Sequence, residues 1–86
     1  MPYITIKNRK QFDKILDEVK SAYPTNAGEL NYLITSICKI CLDNSRRKYQ
    51  NYNDVLGALE GVKLELYRRY IAEYEDEKIK ENGDVQ

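Results

Sequence analysis

Hydrophobic positions recur along most of this chain at steps of three and four, the spacing that lines one face of a helix turning every ~3.6 residues. Phe12, Ile15, Leu16 and Val19 form one such stripe, with Asp13, Lys14, Asp17, Glu18 and Lys20 on the other side. This predicts a first helix over residues 8–23. Asn8 serves as N-cap with Gln11 in the capping-box position, and Pro24 ends the helix by disfavouring helical geometry at Tyr23. Asn26 with Glu29 three residues later announces a second helix over 26–43. Leu30, Leu33, Ile34, Ile37, Cys38, Ile40, Cys41 and Leu42 make it apolar over more than one stripe, as in a helix covered on several sides.

Residues 53–82 contain no proline and carry Val55, Leu59, Val62, Leu66 and Tyr70 at helical spacing, so they predict one long helix stopped by Asn82 and Gly83. About 28 residues at 1.5 Å rise span roughly 42 Å. A compact chain of this size has a radius of gyration of about 12 Å, hence a diameter of roughly 30 Å. The helix exceeds its own globule, so it either protrudes or is covered by a second chain. Within it, Gly57 and Gly61 each cost about 1 kcal/mol relative to alanine. They sit one turn apart and leave a bare groove for helix 2 or a symmetry-related helix. Residues 1–7 alternate strand-favouring types and read as a short extended arm. Asp43 to Asn53 has loop composition, with Arg46, Arg47 and Lys48 followed by Tyr49 and Tyr52. The expected fold is all-α: one helical domain over 1–86, a three-helix hairpin or bundle with a long C-terminal helix and a short extended N-terminal segment, assembled as an oligomer.

Composition narrows the function. A chain of 86 residues has room for one modest core, a size at which oligomerisation often supplies missing burial. Its 14 basic and 14 acidic residues cancel, leaving no global field for a nucleic-acid backbone, so no DNA partner is expected. Residues 1–52 hold nine Lys/Arg against five acids, and residues 53–86 hold five against nine. Halves of opposite sign favour packing on each other, within or between chains. No apolar run of 18 residues and no signal-like N-terminus occur, which predicts a soluble, unexported protein of the cytoplasm without a membrane partner. Cys38 and Cys41 fall within the apolar helix pattern and read as small packing residues. A redox pair would sit at a helix N-terminus, and a zinc site would need two further ligands where the chain has no histidine.

Catalysis is not expected. The acids lie in solvated helical patterns, with no nucleophile elbow and no glycine-rich phosphate loop, and the residues call for no cofactor and no metal. The candidate binding residues are Lys63, Tyr67, Arg68, Arg69 and Tyr74, a belt of cations and phenols on the long helix, with Asn31 and Thr35 as a polar strip on helix 2. Lys63, Arg68 and Arg69 suit phosphate, Tyr67 or Tyr74 suit stacking on a base, and Asn31 and Thr35 suit polar edges. Glu65 stands four residues before Arg69 and predicts an ion pair.

Several blocks resemble a family of small uncharacterised proteins found in phages and prophages. They are Met1-Pro2-Tyr3-Ile4, Gly28-Glu29-Leu30-Asn31-Tyr32 with Ile34-Thr35, Lys63-Leu64-Glu65-Leu66-Tyr67-Arg68-Arg69, and Tyr74-Glu75-Asp76 with Lys78 through Val85, together about half of the chain. That resemblance implies no activity. Ala72-Glu73 stands where those proteins carry an alanine-proline step, so the helix here need not kink. In size, helical make-up and dependence on oligomerisation the chain also resembles, more loosely, the anti-CBASS sponge proteins with which phages sequester cyclic-nucleotide immune signals. The expectation that follows is a homo-oligomer, in the cytoplasm of an infected or lysogenic cell, that sequesters a small anionic nucleotide ligand between protomers. The alternatives are a protein-interaction module that docks on a host or viral protein, and a purely structural oligomer.

Overall fold

A computed structural model describes residues 3–45 and 48–85, and over these the chain is all-helical, with no strand. Met1 and Pro2 of the expected arm, and Arg46 and Arg47 of the basic run, lie outside the described residues. By its internal contacts the chain divides into a unit of residues 3–55 and a unit built on residues 56–86.

In the first unit, helix begins earlier than the capping pattern predicts. Thr5, in extended conformation, accepts from the Asn8 N–H at 3.3 Å and caps α1 (Ile6–Arg9). The predicted cap, Asn8, already lies inside this turn. Gln11 does not complete a capping box; its amide donates to the Asn8 carbonyl at 2.9 Å. A 3₁₀ turn (Lys10–Phe12) leads into α2 (Asp13–Ser21), which stops two residues before Tyr23 as the Ala22 N–H closes on the Glu18 carbonyl at 3.0 Å. Only residues 3–5 remain of the expected arm among the described residues, and they pair with no strand.

The start of α3 (Ala27–Asp43) follows the pattern. Asn26 Oδ1 accepts from the Glu29 N–H at 2.8 Å. The Glu29 carboxylate reaches one residue further back than in a capping box and takes both the N–H and the hydroxyl of Thr25, each at 2.9 Å. These bonds hold the Glu29 carboxyl below its ordinary range, the Thr25 N–H contributing most.

The next helix, α4 (Tyr49–Leu66), starts four residues before the expected Asn53. Gln50 and Asp54 bond at 2.7 Å across one turn, which stabilises helix in a stretch of loop-like composition. A π-helical turn (Tyr67–Ile71) follows, and then α5 (Ala72–Asn82), with Leu66 and Ala72 both in right-handed helical geometry. Gly83 ends the helix at φ 82°, ψ 158°, a region essentially reserved for glycine and more extended than the left-handed helical cap expected.

No described side chain is buried. The stripes exist, but their members stand open: Leu16 is 54% exposed, Ile37 47% and Ile40 61%. Among the described residues, none of helix 2 is buried, so the covering expected on several sides is not seen within its own unit. The physical reason is that α2 and α3 do not pack on one another over any extended area. Cys38 is half-buried and Cys41 exposed, so the packing expected of both thiols is not completed either. A Cβ built on Gly57 or Gly61 meets nothing within 4 Å among the described residues.

Candidate functional site

The belt coincides with the π turn. Here the Ala72 N–H donates to the Tyr67 carbonyl five residues back, so one turn of helix holds one residue more than its neighbours. An extra residue turns everything beyond it by about 100° relative to a regular helix. Ile71 thus takes the place on the Leu59, Val62, Leu66 stripe that the sequence pattern assigns to Tyr70, and Tyr74 follows it on the same face. Ile71 is less exposed than its neighbour Tyr70, 47% against 67%.

The arginines of the π turn share one carboxylate. Arg68 Nη2 bonds Glu65 Oε1 at 2.7 Å, and Arg69 Nε bonds the same oxygen, as the i to i+4 spacing predicts for that pair. Glu65 is the less accessible partner, with 20% of its side chain exposed against 66% for Arg68 and 52% for Arg69. Lys63 is loosely paired with Glu60 at 3.7 Å. From Glu60 to Asp76 the three cations face five acids, Glu60, Glu65, Glu73, Glu75 and Asp76. The belt is not a concentrated positive site.

Its tyrosines are also engaged. The Tyr67 hydroxyl donates to Glu75 Oε2 at 3.2 Å, and this bond, followed by the charge of Glu75, raises the phenol above its ordinary value. The Lys78 ammonium stands 5.5 Å from the centre of the Tyr74 ring and also pairs with Glu81 at 3.1 Å. Lys63, Leu64, Tyr67 and Ile71 line a shallow apolar groove along this face.

Asn31 and Thr35 belong to the other unit. The Thr35 hydroxyl donates to Asn31 Oδ1 at 3.1 Å, one helical turn away. Together with Ala27, Gly28, Tyr32, Ser36 and Lys39 they line an open groove along α3. The expected polar strip is therefore real, and its two members bond each other. Sequence reasoning missed the π turn, the second partner of Glu65 and the role of Glu75. One signal was available: the apolar spacing lengthens from four to five residues between Leu66 and Ile71.

Among the described residues, no helix is long and apolar enough to cross a membrane, and no three His, Cys, Asp or Glu side chains cluster as metal ligands would. Residues 1–85 match the family described as Domain of unknown function (DUF6899), and the chain belongs to it. No curated protein matches the chain. No solved structure matches it.

Proposed function

We propose that this member of the DUF6899 family is a small helical interaction module that works as a homo-oligomer, its apolar stripes covered by copies of itself. The observation that carries this reading is the combination of well-formed amphipathic stripes with the absence of any buried side chain among the described residues. Amphipathic helices draw most of their stability from packing of the apolar face, and an unpartnered stripe in water forfeits it. The belt fits the same reading, because arginine and tyrosine are frequent interface anchors and here they are held in place by Glu65 and Glu75. Light scattering on the full chain tests it. A mass at a multiple of 10.1 kDa is the expected result, and a monomer at high micromolar concentration would remove the reading.

A second reading is supported by the exposure of both guanidinium groups and by the likeness to phage and anti-CBASS sponge proteins. In it the oligomer is of phage origin and captures a small anionic nucleotide between protomers. Lys63, Arg68 and Arg69 neutralise phosphate, Tyr67 or Tyr74 stacks on the base, and Asn31 and Thr35 read polar edges. The surplus of acids around the belt ranks this reading second. Calorimetry with cyclic di- and trinucleotides decides it.

A further inference from the structure

The helix of residues 56–82 presents a surface suited to its own copy. Leu59, Val62, Leu66, Ile71 and Tyr74 run along one face, kept in line by the π turn. Lys63 and Glu75 border that face on the same side. Lys63, Tyr67 and Ile71 line one groove, and the Tyr67 hydroxyl reaches Glu75. This border therefore carries a cation toward one end and an anion toward the other.

Such a border is self-complementary in one orientation. A two-fold axis relating antiparallel helices sets each border against the same border of the other copy. Lys63 of each copy then stands opposite Glu75 of the other, with Leu66 against Ile71 and Val62 against Tyr74, all about a common centre near residue 69. A parallel pair would set unlike borders together and bring Glu75 beside Glu73 and Glu77 of the second copy, like against like. Near the antiparallel axis the arginines of the two copies approach one another. Each Arg68 and Arg69 pair is already anchored on Glu65, which halves its charge.

The area is sufficient. Val62, Leu66, Tyr67, Ile71 and Tyr74 are 46–58% exposed. Covering them removes about 100 Å² for each tyrosine and about 50 Å² for each aliphatic residue, about 350 Å² per copy. With a polar rim of about 40%, the total over both copies is about 1,200 Å². That is the lower end of the range for stable interfaces, about 1,200–2,000 Å².

We propose that the helix of residues 56–82 pairs antiparallel with the same helix of a second copy across this stripe, with Lys63 of each copy meeting Glu75 of the other. The proposal rests on the homo-oligomeric reading above and names the surface. Lys63 is available for it, since its pair with Glu60 is long and its side chain is 76% exposed.

The test is a charge swap in the full chain, read as the association constant by sedimentation and light scattering. Lys63→Glu and Glu75→Lys each place two like-charge pairs in the dimer and are expected to weaken association at least tenfold. The double variant Lys63→Glu/Glu75→Lys is expected to return to within threefold of the wild type. A second measurement needs no change at these positions. A spin label at Asn82→Cys, in a chain carrying Cys38→Ser and Cys41→Ser, is expected about 40 Å from its copy in the antiparallel pair. In a parallel pair the labels would lie within about 15 Å. Single variants that associate like the wild type, or labels close together, overturn the pairing while leaving the homo-oligomer intact. A monomeric wild type overturns both.

Discussion

Tyr67 and Glu75 are eight residues apart on one helix, yet the phenol donates to the carboxylate at 3.2 Å. In an unbroken α-helix, side chains eight apart point about 80° away from each other. The π turn absorbs one residue and makes the relation equivalent to a seven-residue step, about 20° from alignment. The Cβ of a helical residue tilts toward the N-terminus, so Glu75 leans back toward Tyr67 and closes the remaining gap. One irregular turn thus aligns the apolar stripe and ties its border residue in place.

The bond predicts a response to alkaline pH. Tyr67 is held above its ordinary value chiefly by accepting partner Glu75, and a raised folded-state value favours the protonated form. The stabilisation is therefore complete below the unfolded tyrosine value of about 10 and is lost as pH rises through the folded value. In a ¹³C titration of the tyrosine rings, Glu75→Gln is expected to lower the Tyr67 midpoint. Melting curves of wild type and Tyr67→Phe should converge as that range is crossed. A midpoint that does not move in Glu75→Gln would show that the bond does not form in solution.

The entry to α3 predicts a response at the opposite end of the scale. Glu29 is held below its ordinary value by the N–H and hydroxyl of Thr25, so its contribution is present above about pH 4.5 and is lost as pH falls through the lowered folded value. Asn26→Ala removes the acceptor for the Glu29 N–H and is expected to destabilise the helix by about 1 kcal/mol at neutral pH. Amide exchange at Glu29 checks both. Exchange should quicken in the Asn26→Ala chain and, in the wild type, on acidification, after correction for the intrinsic rate.

These two ends differ in how far they could be read beforehand. Asn26 with Glu29 is a local signal, two residues and a known bond pattern, and α3 starts where the pattern places it. At the first helix the same pattern at Asn8 and Gln11 misleads, because Thr5 also caps, three residues earlier, and a 3₁₀ turn lets the chain continue through both. The π turn left only a lengthened apolar spacing, and a repeat of four or five residues reads alike when Tyr70 and Ile71 are both apolar. The absence of a buried side chain among the described residues was the least legible feature. Stripes on α2 and α3 specify that faces will be covered, and nothing in their spacing specifies by what.

The glycines of α4 provide a separate test of which face is used. Gly57 and Gly61 fall about 170° and about 130° from the centre of the stripe of Leu59, Val62 and Leu66, and a Cβ at either position has open space. Gly57→Ala and Gly61→Ala are each expected to raise helix stability by about 1 kcal/mol. If assembly uses the stripe, the mass in solution stays unchanged. A fall in mass with intact helicity would place a neighbouring helix in the glycine notch, the close approach that the spacing of these residues predicts.

Glu65 bears on the ligand reading, since one carboxylate holds both Arg68 and Arg69. A phosphate entering the belt must compete with that carboxylate for charge-assisted bonds. Glu65→Gln removes the competitor and reduces the local surplus of acid while keeping a side chain of the same length. If the belt is a nucleotide site, calorimetry with cyclic di- and trinucleotides is expected to show affinity rising about tenfold over the wild type. Arg68→Glu with Arg69→Glu should abolish the heat and leave the oligomer mass intact. Silence from both wild type and Glu65→Gln at about 10 μM, a concentration at which an affinity of biological use would register, removes nucleotide capture. The belt would then serve as the anchor set of a protein interface.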